Sequence, residues 1–175
     1  MNNYKNYVVP TIAGWYSHNF LSKYMLISNT GVQYYGEAHL SKWNAWIHTI
    51  GMPISIYGLL LCIPALFKLN PNKAKQIIWM LYFFYGGHYL RMDVKNSFLY
   101  YVMFFPSVYM ANKNYEKHTA SKENLLNKGL LISSTALTFQ EIVGHWIGND
   151  IQSRFEGIPN AILYAMYFAA THMVP

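Results

Sequence analysis

Long stretches without a charged side chain constrain the fold of this chain more than any other feature. No Asp, Glu, Lys or Arg occurs in four stretches, residues 43–67, 76–90, 96–112 and 157–175. A fifth stretch, residues 129–149, contains one charged residue, Glu141. Charged residues make up 11% of the chain, against about 25% in ordinary soluble domains. Because a helix needs about 20 mostly apolar residues to cross a bilayer, the pattern predicts an all-α, multi-pass transmembrane helical bundle.

The charge-free stretches place the expected elements. We predict about five membrane helices, over residues 43–67, 76–91, 96–111, 129–148 and 158–173, and an interfacial N-terminal helix around residues 15–27. Ser41 is the expected N-cap of a helix that begins at Lys42. Residues 1–175 are expected to form one domain, with a peripheral segment over 1–34 and a histidine-bearing bundle over 35–175. A soluble helical protein with a very apolar core is the alternative.

The charges in the links between these stretches predict an orientation. Seven lysines occur in the links after the first and third predicted spans, Lys68, Lys73, Lys75, Lys113, Lys117, Lys122 and Lys128. The other two links hold three Lys or Arg residues, so the positive-inside rule places the lysine-rich links in the cytoplasm. The net charge of +6 therefore favours a membrane surface as the partner, and nucleic acid is not expected.

This orientation sorts the seven histidines of the chain. Four of them fall at one membrane level, opposite the lysine-rich links, His39, His48, His88 and His145. His118 and His172 fall on the lysine-rich side, and His18 is not placed. Several imidazoles at one depth among apolar residues predict a shared metal ion.

The spacing around the first two histidines predicts a break in the chain. His39 and His48 are nine residues apart, which puts them about 180° apart on an unbroken helix, so His39 has to reach in from a preceding turn. Asn44 lies four residues before His48, on the same helix face, and is expected to hydrogen-bond a ring nitrogen. Gly51 and Pro53 predict a kink or a close approach just beyond.

A second polar group lies in the stretch over residues 129–149. Glu141 and His145 are four residues apart and share a helix face, so the carboxylate can be a co-ligand, an orienting partner or a base. Gln140 is offset by one position and is expected to face a neighbouring helix. Gly87 and Gly144 each precede a histidine and predict close helix packing beside it.

These motifs resemble the fungal-type 2-hydroxy fatty acid dioxygenase family of membrane proteins. Two motifs carry the resemblance over about residues 35–173, an H-x(8)-H element with an internal Asn that ends in G-x-P, and a later F-Q-x-x-x-G-H. The matching positions are His39, Asn44, His48, Gly51, Pro53, Gln140, Gly144 and His145. The chain departs from the family after His145: where family members commonly have an acidic residue four positions on, this chain has Asn149, with Asp150 beside it, and Glu156 comes later.

The resemblance implies an enzyme of an endoplasmic-reticulum-type membrane that uses Fe(II) and O₂. It implies that a 2-hydroxy fatty acid is shortened by one carbon, in fatty acid α-oxidation. With it we assign His39, His48, His88 and His145 as metal ligands. Asn44, Gln140 and Glu141 are assigned to orienting the substrate or the ligands. The substrate's alkyl tail is expected between the helices.

Two other functions remain open from the sequence. A haem-binding membrane protein would use two helix histidines as axial ligands, which explains His88 and His145 and leaves His39 and Asn44 without a function. A non-catalytic lipid-binding membrane protein is the other alternative. The sequence does not fix the oligomeric state or the substrate chain length.

Overall fold

The computed structural model describes residues 4–24, 38–117, 122–151 and 158–171, and the described residues are almost entirely helical, with no strand among them. The helices are α1 (Lys5–Tyr24), α2 (Lys42–Leu66), α3 (Pro71–Met92), α4 (Val94–Lys117), α5 (Lys122–Thr138), a π-helix (Phe139–Gly144), α6 (His145–Gly148) and α7 (Ile158–Thr171). α5, the π-helix and α6 follow one another without a break. The all-α prediction is confirmed.

The helices agree with the predicted stretches at their centres, and α3, α4 and α5 extend beyond them. α2 begins and ends within one residue of the predicted 43–67. α3 begins at Pro71 instead of residue 76, because Asn70 accepts a hydrogen bond from the Lys73 backbone N–H and Pro71 occupies the first helical turn. The links between the predicted stretches are therefore shorter than the sequence pattern indicates, because α3 already includes residues 71–75 and α4 continues to Lys117.

The core lies where α2, α3 and α4 meet. α2 packs against α5 and α4, α3 packs against α1 and α4, and α7 contacts α4 and α2. Fully buried apolar side chains fill the interior between these helices, among them Leu61, Ile78, Tyr89, Phe104 and Val108. The antiparallel course of α2 and α5 is fixed by two contacts, Gly51 with Gln140 and Gly58 with Gly129.

Tyrosine hydroxyls satisfy their hydrogen bonds on the backbone of neighbouring helices. Tyr115 of α4 donates to the carbonyl of Leu61, Tyr89 of α3 donates to the carbonyl of Leu163 at 2.7 Å, and Tyr100 donates to that of Tyr82 at 3.1 Å. A buried hydroxyl costs free energy unless it is paired. These bonds let an aromatic-rich interior pack without unpaired hydroxyls at these tyrosines.

Among the described residues, α2 is the one helix that is long and apolar enough to cross a membrane. A buried core helix of a soluble protein can meet the same criterion, so the five-span topology stays a prediction. The predicted N-terminal helix around 15–27 corresponds to α1, which begins earlier, at Lys5, and is described to Tyr24. His118, His172 and Glu156 lie outside the described residues.

Candidate metal centre

Three of the predicted ligands, His39, His48 and His145, meet at one buried point. Each offers a ring nitrogen that lies within 4.8 Å of those of the other two. The Nε2 atoms of His39 and His48 are 3.2 Å apart, and the ring centroids of His48 and His145 are 5.6 Å apart. All three rings are buried. Residues more than 100 positions apart in the sequence are thus brought to one site that can hold a metal ion.

His39 reaches the site from the turn before α2, as the nine-residue spacing requires. Ser41 is the N-cap residue of α2, as predicted, but its side chain makes no capping hydrogen bond. Asp150 caps the helix instead, and its two carboxylate oxygens accept from the Ser41 backbone N–H at 3.1 and 3.2 Å. A carboxylate at a helix N-terminus is favoured by the exposed N–H groups and the helix dipole. The turn that carries His39 is therefore held by a residue after His145.

Asn44 connects this turn to Asp150 and not to an imidazole. Its Nδ2 donates to the Ala38 carbonyl at 3.1 Å and to Asp150 Oδ2 at 2.8 Å. The ring nitrogen Nδ1 of His48 lies 3.1 Å from the backbone carbonyl of Asn44. The prediction that the Asn44 side chain contacts the imidazole is corrected, because the amide is engaged elsewhere and the backbone takes that place.

The contact at Nδ1 defines which nitrogen of His48 can bind a ligand. A carbonyl only accepts hydrogen bonds, so the proton of a neutral His48 ring belongs on Nδ1. Nε2 then carries the lone pair and points to His39 and His145. Metal-binding histidines commonly donate their other N–H to a carbonyl in this way.

Glu141 completes the polar group on one side. Its Oε1 lies 3.8 Å from His48 Nε2, and its Oε2 lies 3.7 Å from His145 Nε2. The Glu141 side chain is 48% exposed, while the two imidazoles are almost fully buried. The carboxylate thus stands between the buried rings and the surface, where it can act as a co-ligand or as a proton acceptor.

A π-helix and a glycine place His145 against α2. Glu141 lies inside the π-helix and His145 directly follows it. Gly144 faces Asn44, where an added Cβ would lie 2.7 Å from Oδ1. π-helical turns occur often at functional sites because they change which side chains share a face. Gly144 therefore permits the close approach that the sequence predicted.

Gln140 fixes the next contact between the same two helices. It is buried, and its Nε2 donates to Ser55 Oγ at 2.7 Å and to the Ala136 carbonyl at 2.9 Å. Its side chain lies over Gly51, where a Cβ would come within 2.6 Å. The predicted close approach at Gly51 is this contact. Gln140 acts on α2 packing and is not in contact with the histidines by any of these bonds.

The donor atoms fit one ion. With metal–nitrogen bonds of about 2.1 Å in a tetrahedral arrangement, neighbouring donor atoms lie roughly 3.4 Å apart. The distances of 3.2 Å between His39 and His48, and of 3.7 and 3.8 Å from Glu141 to two imidazoles, lie close to this value. Both ring nitrogens of His145 are buried without a hydrogen-bond partner among the described residues. An ion at this point would bind one of these two nitrogens.

His88, the fourth predicted ligand, is not part of this group. Its ring lies against His18 of α1, with 4.9 Å between centroids. The physical reason is the contact of α3 with α1. A Cβ at Gly87 would meet the Thr11 carbonyl at 2.0 Å, so this face of α3 is turned to α1 and not to α2. Although His88 was predicted at the same membrane level as the other three histidines, its helix faces α1, and the ring therefore does not contact them.

Two residues of the site were not assigned from the sequence, Asp150 and Ser55. Asp150 had been noted only as a departure from the family pattern, and Ser55 carried no signal beyond its place four residues after Gly51. Asp150 follows Asn149, whose φ of 53° lies in the left-handed region. An Asn at the end of a helix is a usual carrier of that conformation, which is the signal that the chain turns back there.

An apolar groove of about 570 Å³ runs along α2 and α5 beside the site. One wall of the groove is formed by α2 residues three or four positions apart, Ile47, Ile50, Gly51 and Ile54. The facing wall comes from α5 and the first residue of the π-helix, with Leu131, Ile132, Thr135, Ala136 and Phe139. Ile47 is the residue before His48, and its Cγ2 would be 3.3 Å from a Cβ at Gly144. One end of the groove therefore lies near Gly144, the residue before His145, although none of the three histidines lines the groove.

The fold and the site define an all-helical protein with a buried three-histidine group beside an apolar groove. Comparison with known proteins found no matching family model, no matching curated protein and no matching solved structure.

Proposed function

We propose that this chain is a membrane-bound, Fe(II)-dependent dioxygenase that shortens 2-hydroxy fatty acids by one carbon. The observation that carries the proposal is the meeting of His39, His48 and His145 at one buried point, with Glu141 on its outer side. The sequence motifs that resemble the dioxygenase family contain all three of these histidines. The apolar groove beside them supplies a place for a hydrocarbon chain.

The donor set agrees with iron. Fe(II) is one of the divalent metals that proteins bind through imidazole nitrogens. Three imidazoles, with or without one carboxylate, are therefore a suitable ligand set for it. His39, His48 and His145 would hold the ion, and Glu141 would stand at its exposed side. A bound Fe(II) ion with open coordination positions would supply the activation of O₂.

The residues of the chain would orient the ligands and exclude water. The Asn44 carbonyl keeps the His48 proton on Nδ1, so that Nε2 remains available. Asp150 and Asn44 hold the turn of His39 in place. Glu141, half-exposed, would take the proton of the substrate hydroxyl at its carboxylate oxygens.

The groove would hold the alkyl tail of the substrate. Its volume is in the range of ligand pockets in proteins, about 300–1,000 Å³. Because the groove begins at Ile47, a chain lying in it would present its carboxyl and 2-hydroxyl groups to the histidines. Ile54 and Leu131 are groove residues beyond that end.

A membrane surface at the level of the site agrees with three exposed tryptophans. Trp43, Trp46 and Trp146 are 69, 56 and 81% exposed and flank the histidines in sequence. Tryptophan is enriched where proteins meet the lipid headgroups. The proposed integral membrane location, in an endoplasmic-reticulum-type membrane, would bring a fatty acid carboxylate to the depth of the site.

Iron content and turnover of the purified chain test this function. We expect about one iron per chain and a shortened acid from 2-hydroxypalmitate with O₂, and loss of both in His48→Ala and His145→Ala. His118→Ala is the control, since the sequence places this histidine at the lysine-rich side. A Soret band would instead indicate haem. Iron-free wild type, or unchanged iron in both variants, contradicts the proposal.

A further inference from the structure

His18 and His88 form a second pair of facing imidazoles, outside the three-histidine group. His18 lies on α1 and His88 on α3, and their ring centroids are 4.9 Å apart. Within the three-histidine group the corresponding separations are 4.4, 5.1 and 5.6 Å. The pair is therefore spaced like rings that can share one ion.

The helices that carry this pair are in close contact. A Cβ at Gly14 of α1 would lie 1.9 Å from the Phe84 carbonyl oxygen, and one at Gly87 of α3 would lie 2.0 Å from that of Thr11. Glycine at both positions lets the backbones approach. The two rings are thus held opposite each other by the helix packing around them.

Three of the four ring nitrogens of this pair are buried without a hydrogen-bond partner among the described residues. His88 is fully buried, and neither of its ring nitrogens has a hydrogen-bond partner among the described residues. The same is true of Nδ1 of His18. Buried polar atoms are rarely left unpaired, and each exception calls for an explanation, such as an ion. Three unpartnered nitrogens on two facing rings are such an exception.

Apart from His18, aromatic side chains border His88. The Arg91 guanidinium, three residues after His88 in the sequence, lies over the Trp15 ring, 5.4 Å from its centroid, where its charge interacts with the aromatic face. The rings of Tyr89 and Tyr164 border His88 on the other sides.

We propose that His18 and His88 bind a second metal ion, a nitrogen-preferring divalent cation of the Zn²⁺ class, which joins α1 to α3. Imidazole suits Zn²⁺, and two protein ligands leave positions for water. This site is independent of the proposed oxygenase chemistry and would tie the N-terminal helix to the bundle.

Zn²⁺ binding to the full chain in lipid nanodiscs tests the proposal. In a His39→Ala/His48→Ala/His145→Ala background we expect one Zn²⁺ per chain by equilibrium dialysis. Adding His18→Ala should weaken this binding at least tenfold, because one of two protein ligands is lost, whereas adding Ser17→Ala should leave it unchanged. His88→Gln should act like His18→Ala, with helicity measured by circular dichroism.

The wild-type chain gives a second readout that does not depend on folding of the triple variant. It should bind two Zn²⁺ ions, of which one is lost in His18→Ala and the other in His48→Ala. A folded triple variant that binds no Zn²⁺, or one whose Zn²⁺ affinity is the same with and without His18, overturns the second site. Absence of iron-dependent turnover in the wild-type chain, with the second Zn²⁺ still bound, would contradict only the proposed function.

Discussion

At the scale of single residues, Asn44 joins the two ends of the site through one amide. Its Nδ2 reaches both the Ala38 carbonyl and Asp150 Oδ2, and its own carbonyl faces His48. The side chain therefore links the turn of His39, the first turns of α2 and the chain segment after α6. Its contribution is positional, since it contacts no metal-binding nitrogen with its side chain.

Replacing Asn44 and Asp150 singly and together should reveal a coupled pair. Asn44→Ala leaves a partly buried carboxylate without one of its donors, and we expect a coupling free energy of about 0.5–3 kcal/mol between the two positions. The measurement is a double-mutant cycle of unfolding free energies. Asn114→Ala, in the last turns of α4 with its side chain hydrogen-bonded to Tyr57 at 2.9 Å, is the control and should be additive with Asp150→Ala. Additive effects of Asn44→Ala and Asp150→Ala would contradict the link.

At the scale of the elements, glycines set how closely α2 meets the helix that carries His145. A Cβ at Gly144 would lie 2.7 Å from Asn44 Oδ1, whereas one at Gly58 would lie 2.7 Å from the Gly129 carbonyl oxygen, away from the histidines. Both positions are tight, but only Gly144 adjoins the metal centre. Substituting each glycine in turn therefore distinguishes an effect on helix packing from an effect on the position of the metal ligands.

Gly144→Ala should lose both stability and metal affinity, and Gly58→Ala should lose stability alone. Overpacking costs about 1–3 kcal/mol at either site, and the shift of Asn44 should in addition displace His48. Thermal unfolding and iron titration of the two variants provide the measurements. Equal iron affinity in both variants would mean that Gly144 does not control the position of the ligands.

The end of α6 depends on one backbone conformation. Asn149 has a φ of 53°, and the Asp150 backbone N–H then donates to the His145 carbonyl at 3.1 Å, a pattern that ends many helices. Asn149→Val should destabilise the fold by about 1–2 kcal/mol, because a β-branched residue disfavours this region. Asn149→Gly is the matched control and should be neutral or nearly so. Chemical denaturation of both variants measures the two unfolding free energies, and equal values would contradict this explanation.

These elements also separate what the sequence could predict from what it could not. The apolar runs predicted the helix centres, and the nine-residue spacing predicted the break between His39 and His48. The capping contact of Asp150 with Ser41 could not be predicted from the sequence, because it forms only when the chain turns back at Asn149. His88 was assigned to the metal centre from depth alone, and depth does not tell which neighbour a helix face meets.

At the scale of the whole molecule, an exposed Lys–Glu cluster and the three-histidine group lie at opposite ends of the helical bundle. α2 runs from the histidine group toward Lys68, and the antiparallel α5 leads back to His145. Lys75, Glu116 and Lys113 form an exposed cluster, with Lys75 Nζ 3.2 Å and Lys113 Nζ 3.7 Å from the Glu116 carboxylate. This separation agrees with the predicted orientation, in which lysine-rich links face the cytoplasm.

The exposed cluster gives a pH dependence of known sign. Hydrogen bonding and charge from Lys75 lower the pKa of Glu116 below its usual 4.5. A lowered pKa in the folded state means stabilisation that is present above the unfolded pKa and is lost as the pH falls through the folded value. The Tm difference between wild type and Glu116→Gln should therefore be small at pH 7 and vanish in acid. A difference that grows on acidification, or that resists high salt, would contradict this.

Lipid contact of the tryptophans tests the membrane location. Because Trp43 and Trp146 are exposed beside the histidine group, brominated lipids should quench their fluorescence. Quenching should be stronger with bromine near the headgroup than with bromine at the chain end. Trp79, which packs among the aromatic rings of α3, is the control for a tryptophan in the bundle. Single-tryptophan variants give the measurement, and unquenched Trp43 and Trp146 would contradict a bilayer at this level.

The π-helix has a consequence for how this chain tolerates changes in length. A turn of that kind holds one residue more than the α-helical turn it replaces. Deleting a single codon within Phe139–Gly144 would restore regular winding, and the α-helical turn would cover the same rotation with one residue fewer. His145 would then stay close to its two companions. The same deletion within α5, where the winding is already regular, would rotate His145 by about 100° and separate it from them.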